Sequence, residues 1–123
     1  MAKNFSRPVL AAIDAAKIMG IKAGSEHKFI GVWPVVVDGR VYARSWGVSG
    51  DGWYHAFLEQ PNGTIQIGDR EIRVRAVRAR SERIRDKVEE AYKEKFTTKA
   101  SQKWVRGFRT PRRRDATIEF VPR

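Results

Sequence analysis

An α+β chain of five or six short, mostly antiparallel strands with about three helices is predicted here, and three observations lead to it. Two dipeptides, Asp38-Gly39 and Gly68-Asp69, stand between β-favouring runs and read as two-residue hairpin turns. After the second turn, Ile72, Val74 and Ala76 alternate with Arg73 and Arg75, the period of a strand with one buried face. Two other stretches carry apolar residues at helical spacing: Val9, Leu10, Ile13 and Ala16, then Ile84, Val88, Ala91, Tyr92 and Phe96. Strands this short bury their apolar faces best in a small curled sheet or barrel.

The 123 residues suit a single domain over 1–123, and 41% hydrophobic content with four Trp, three Tyr and six Phe supplies a core. The absence of Cys excludes a disulfide scaffold, thiolate metal ligation and thiol catalysis.

Each element follows in order. Within an N-terminal helical segment, 1–20, Ser6 is the expected N-cap, Pro8 fits the first turn and Gly20 is the expected stop. Ile21–Lys22 reads as a short strand. Lys28–Val37 reads as one long strand, with Pro34 marking an edge or a bulge because it cannot donate to a ladder. The return strand, Arg40–Trp46, places Val41, Ala43 and Ser45 on one face and Tyr42, Arg44 and Trp46 on the other. A Gly-rich loop, residues 47–52, leads to a helix over Trp53–Gln60, whose Trp53/Phe57 and Tyr54/Leu58 pairs are four apart. Pro61-Asn62-Gly63 turns into a strand at Thr64–Ile67. In Arg70–Arg80 the apolar phase slips after Ala76, so a bulge near Ala76–Val77 is expected to keep Arg73, Arg75, Arg78 and Arg80 on one outward face. Ser81 caps a helix over Glu82–Phe96. Residues 97–115 read as a basic connecting loop anchored by Trp104 and Phe108, and Ala116–Val121 is the last strand.

The net charge of +11 is uneven. Residues 1–65 hold seven Lys/Arg against five Asp/Glu, a net of +2; residues 66–123 hold eighteen against nine, a net of +9. The expected fate of the Arg73, Arg75, Arg78 and Arg80 charges is a solvated sheet face or pairing with the carboxylates of the following helix, and Arg112–Arg114 reads as a solvated loop. His27 and His55 lack the partners of a zinc site. No Walker loop, dinucleotide fingerprint or nucleophile elbow is present, so no catalytic residue and no metal ligand is assigned. With no long apolar run and no signal-peptide core, a cytoplasmic protein without membrane contact is expected.

The order of motifs carries a resemblance. Pro34, the Asp38-Gly39 hairpin, Val41-Tyr42-Ala43-Arg44-Ser45, the Gly-rich loop and Trp53-Tyr54 are followed by Gly63-Thr64-Ile65 and Gly68-Asp69. Then come Val74–Val77, Ala91-Tyr92, Lys95-Phe96 and Val121-Pro122-Arg123. From Lys28 to Arg123 this resembles a bacterial family of small proteins of unknown function in the FMN-binding split-barrel superfamily, related to deazaflavin-dependent nitroreductases. The resemblance implies a six-stranded split β-barrel, commonly a homodimer, with a flavin-type small molecule near the subunit interface. FMN or a deazaflavin would then carry the hydride of an oxidoreductase, and the protein would orient it.

The positions matching the cofactor-side region are Arg44, Ser45, Trp46 and Gly47, with Trp53, Tyr54 and His55 at the helix start. Their chemistry suits the role: Arg44 and Ser45 for a phosphate, glycine for close approach, Trp46 or Tyr54 for stacking on a flat ring. Two other readings stand beside it. One is a non-enzymatic split barrel without cofactor; the other is a basic module binding single-stranded nucleic acid through backbone contacts and stacking.

Overall fold

The computed structural model describes residues 4–25, 28–47 and 52–123. The elements run α1 (Arg7–Ala15), β1 (Met19–Ala23), β2 (Ile30–Val32), β3 (Val35–Val37), β4 (Arg40–Arg44) and α2 (Trp53–Glu59). They continue with β5 (Asn62–Ile67), β6 (Arg70–Arg78), α3 (Glu82–Lys95), α4 (Lys99–Gly107), α5 (Pro111–Asp115) and β7 (Thr117–Pro122).

All seven strands form one antiparallel sheet in the order β2-β1-β5-β6-β7-β4-β3. Its two edge strands, β2 and β3, are joined by Trp33-Pro34 alone. Three chain steps span at most about 11 Å. Seven strands laid flat would separate the edges by roughly 29 Å. The sheet must therefore curl until its edges meet, and the expected barrel is a consequence of that short corner.

The hairpins form as their turn residues dictate. Asp38 (φ 51°) and Gly39 (φ 75°) both take positive φ, as a type I′ turn requires, and Gly68 (φ 58°) does so in the second. The barrel interior is apolar: Met19, Ile21, Val41, Ala43, Ile65, Val74, Ile118 and Phe120 from the strands meet Phe57 of α2 and Ile13 of α1. Gly63 is needed where β5 crosses β1, since a Cβ would overlap the Lys22 carbonyl oxygen and the Phe57 ring. A second core lies outside the barrel, where Val35, Val37 and Tyr42 are covered by Val88, Tyr92 and Phe96, with Val105 from α4 and Phe108 just beyond it. The two predicted faces of β4 thus belong to two different cores.

The caps of α1 and α3 are as expected, with the Ser6 and Ser81 hydroxyls accepting from the Val9 and Ile84 amides. Five differences from expectation have physical reasons. Among the described residues there are seven strands and five helices, where six and three were predicted. The long strand Lys28–Val37 is broken at Trp33-Pro34 into two edge strands, because Pro34 offers no amide to a ladder. Gly20 does not end α1; it lies inside β1, paired with Gly31 and Gln66.

No bulge interrupts β6. Its pairing with β7 runs unbroken from Val74↔Pro122 to Arg78↔Ile118, so Arg78 shares a face with Val74 and Ala76 and not with Arg73 and Arg75. Residues 97–115 are not a loop but carry α4 and α5, whose starts are marked by Thr98, accepting from the Ser101 amide, and by Thr110-Pro111. Among the described residues, no helix is long and apolar enough to cross a membrane.

Candidate functional site

A cavity of about 330 Å³ opens beside the Trp33-Pro34 corner, lined by Gly31, Val32, Trp33, Arg44, Trp46, Trp53, Trp104 and Phe108. All four tryptophans of the chain converge on it. Its size falls in the range of small-molecule sites, and its wall is almost entirely apolar and aromatic.

Each wall residue is held by a neighbour. Trp33 stacks on Phe96 with ring centroids 4.3 Å apart and meets Phe108 edge-on at 6.4 Å. Trp53, the first residue of α2, leans on Phe57 and Phe120, each at 6.3 Å. Trp46 and Trp104 meet edge-on at 4.7 Å and remain partly exposed. The Trp46 ring lies against Gly107, where a Cβ would collide with it. The Arg113 guanidinium sits over the ring 3.6 Å from its centroid, and Arg113 Nε donates to the Trp46 carbonyl at 2.9 Å.

Among the described residues of the wall, Arg44 is the one that carries a charge. Its side chain is fully buried, and four of its N–H donations are to protein. Nε donates to Thr117 Oγ1 (2.8 Å), Nη1 to Glu89 Oε1 (3.2 Å) and to the Phe108 carbonyl (3.0 Å), and Nη2 to the Arg85 carbonyl (3.1 Å). Desolvation lowers its pKa while Glu89 opposes that shift. The backbone amide of Arg44 donates to the Tyr92 hydroxyl at 3.0 Å, and that hydroxyl donates to the Trp33 carbonyl at 2.6 Å. Arg44 therefore ties β4 to α3, α4 and β7 and sets the cavity wall. Its guanidinium is committed to those partners and not held open for a phosphate.

The other predicted residues divide between the cavity and elsewhere. Trp46 and Trp53 line it. Ser45 is buried and donates from Oγ to the Gly47 carbonyl at 2.6 Å, fixing the exit of β4. Gly47 is exposed, with nothing near where a Cβ would be. Tyr54 is buried and donates to the Asp115 carbonyl at 3.2 Å. With His55, Arg112, Asp115 and Ala116 it borders a separate hollow of about 190 Å³, and His55 Nδ1 is buried with no hydrogen-bond partner among the described residues. The remainder of the Gly-rich loop, residues 48–51, lies outside the described residues.

Sequence reasoning missed Trp33, Trp104 and Phe108 as cavity residues, having read them as strand and loop anchors. The available signal was four Trp in a chain of 123 residues, but nothing local says that they meet.

With this geometry in view, comparison with known proteins places the chain. A bacterial family profile, described as "Uncharacterized protein conserved in bacteria (DUF2255)", matches residues 9–120. No curated protein matches. A conserved hypothetical protein of Mycobacterium tuberculosis is similar in structure, with a TM-score of 0.66 at 11% identity, over 99% of this chain and 83% of that one. A candidate pyridoxamine 5'-phosphate oxidase of Listeria innocua matches with a TM-score of 0.62 at 17% identity, over 94% and 90%. A candidate general stress protein 26 of Jannaschia sp. CCS1 matches with a TM-score of 0.64 at 11% identity, over 94% and 71%. At such identities these likenesses establish a shared curled α+β barrel. None of the three is described as deazaflavin-dependent.

Proposed function

The chain belongs to this bacterial family, and we propose that it is a flavin-binding barrel protein whose tryptophan-lined cavity holds FMN or a deazaflavin of similar shape. The convergence of all four tryptophans on one cavity carries this reading. Support comes from the motif order shared with FMN-binding split barrels and from the fold likeness to a candidate pyridoxamine 5'-phosphate oxidase.

The residues fit the ring part of such a molecule. A flat conjugated system can lie among Trp33, Trp46, Trp53 and Trp104, whose faces and edges offer offset and edge-on contacts. Trp46 and Trp104, partly exposed, form its outer wall, and the basic side chains beside them, Arg113 and Lys103, leave a charged tail favourable surroundings at the rim. When bound, the cofactor supplies the hydride chemistry; the protein excludes water, orients the ring and fixes the wall through Arg44. An oxidoreductase of this kind needs no catalytic side chain of its own beyond that orientation.

A homodimer belongs to the same reading, because a second copy would cover Trp46 and Trp104, 37% and 41% exposed. Size-exclusion chromatography with light scattering tests it, and a monomer at all concentrations rejects it.

The decisive experiment is titration of the protein with FMN and, separately, with a deazaflavin, following tryptophan emission. Quenching with a Kd below about 100 µM, some −5.5 kcal/mol, is expected for one of them. Trp46→Ala and Trp104→Ala should each weaken it by about tenfold, or about 1.4 kcal/mol. No quenching by either ligand leaves a barrel without cofactor and rejects the proposal.

A further inference from the structure

The acidic residues of α3 do not neutralise the arginines of β6. Instead Glu82 pairs with Arg85 and Arg114 (3.1 and 2.7 Å), Asp86 with Arg114 (2.9 Å), and Glu89 with Arg44 (3.2 Å) and Arg114. Among the described residues, no carboxylate lies within ion-pair distance of Arg73 or Arg75, both exposed. Of the two fates expected for these charges, Arg73 and Arg75 take the solvated face, while the carboxylates of α3 pair across the fold.

The register then lines these cations up. Lys22 of β1 stands opposite Thr64 of β5, and Thr64 opposite Arg73 of β6. The Arg123 amide donates to the Arg73 carbonyl at 2.9 Å, extending the β6–β7 ladder by one residue so that Arg123 stands opposite Arg73. Residues directly opposite share a sheet face, so Lys22, Thr64, Arg73 and Arg123 form one row across four strands, with Arg75 in the next row beside Asn62. Like charges directly opposite destabilise a sheet. Such a local cost is characteristic of a surface kept for binding. The principal helix packing is on β1, β3 and β4, and Arg73, Arg75, Val77 and Arg123 are exposed on this outer face.

We propose that this row is a docking surface for the phosphate backbone of a nucleic-acid duplex. Three of the cations are Arg, which grips phosphate with two parallel N–H groups, and Thr64 and Asn62 between them can donate to phosphate and sugar oxygens. Among the described residues the aromatic ring at this face is Phe29, which the Lys22 ammonium covers at 4.7 Å, and β5, β6 and β7 present none outward, so single strands gain little from base stacking and recognition is of a backbone, independent of sequence. Val77 and Val121 are the apolar residues of the outer faces of β6 and β7, too little to insert into a lipid surface. Glu71 is the one carboxylate on the outer face of β6, opposite Gln66 and outside ion-pair reach of the arginines. This inference is independent of the cofactor reading.

The test is fluorescence anisotropy with a labelled, mixed-sequence DNA duplex. Engaging about three phosphates should weaken wild-type binding roughly 50-fold between about 50 and 200 mM salt. Arg73→Gln/Arg75→Gln should bind at least about tenfold more weakly at low salt and lower the log–log salt slope by about 2. The charge-matched control Arg106→Gln/Arg109→Gln, on exposed positions of α4 and just beyond it, should stay within about twofold of wild type. Unchanged thermal melts establish that each variant folds. Equal losses in both pairs would show diffuse charge attraction and overturn the proposal. So would no duplex binding by wild type at low salt, or tighter binding to phosphatidylserine-containing vesicles than to the duplex.

Discussion

Arg113 covers a face of the Trp46 ring: its guanidinium carbon lies 3.6 Å from the indole centroid while its Nε donates to the Trp46 carbonyl at 2.9 Å. One residue of α5 thus fixes both the backbone and the ring of a cavity-wall residue that follows β4. A cation–π contact at a partly exposed site contributes about 0.5–1 kcal/mol. Arg113→Gln should therefore leave the melting temperature within a few degrees but shift and broaden tryptophan emission. FMN quenching should weaken about two- to fivefold, which corresponds to that energy. Arg113→Lys should recover only part, since an ammonium lacks the planar stack.

Tyr92 gives the protein an alkaline limit. Its hydroxyl is wholly buried between the Arg44 amide and the Trp33 carbonyl, and burial pushes its ionisation above the ordinary value of 10.0. The unfolded phenol loses its proton first. Stability is therefore fully present below about pH 10 and declines as pH rises beyond it. Melts between pH 8 and pH 11 should show that decline, and Tyr92→Phe should flatten it. At neutral pH the same variant should lose about 1–3 kcal/mol, because two buried backbone groups are left unpartnered. An ordinary titration of every tyrosine by ultraviolet absorbance in the native protein would contradict the assignment.

Arg44 should behave as a structural residue before it behaves as a ligand. Replacing it with Met removes the donor to Thr117, Glu89 and two carbonyls, and leaves Glu89 with Arg114 as its remaining partner. Breaking a buried pair from one side costs about 3–5 kcal/mol. Urea denaturation should show a loss on that scale with no ligand present; a stability equal to wild type would place the guanidinium in the cavity, facing ligand.

Two glycines separate stability from site shape. Gly63→Ala forces a Cβ into the Lys22 carbonyl and the Phe57 ring deep in the barrel, and a cost of about 1–3 kcal/mol or more is expected. Gly107→Ala pushes only on the partly exposed Trp46 ring, so stability should change little while emission and flavin affinity change. Gly47→Ala, with open space around it, is the neutral control for both.

The two hairpins and the caps Ser6 and Ser81 were legible because the chemistry that makes them is local: a positive φ at Asp38-Gly39 or Gly68, or a hydroxyl three residues from a free amide. The two faces of β4, Val41 and Ala43 against Tyr42 and Arg44, were legible from period two. By contrast, α4 was hidden because its buried residues, Ser101 and Val105, make too thin an apolar stripe amid Lys99, Lys103 and Arg106, and only Thr98 marked its start.

Local residue order, then, determined an α+β chain of short antiparallel strands with two tight hairpins. Tertiary structure alone decided which edges of the sheet meet. It brought Trp33, Trp46, Trp53 and Trp104 to one cavity, and it gave Glu82, Asp86 and Glu89 to Arg44, Arg85 and Arg114 in place of the arginines of β6. The reason is physical. A turn or a cap is settled by a few neighbouring dihedral angles, whereas ion pairing and aromatic packing are settled by which distant faces the closing sheet brings within a few ångströms.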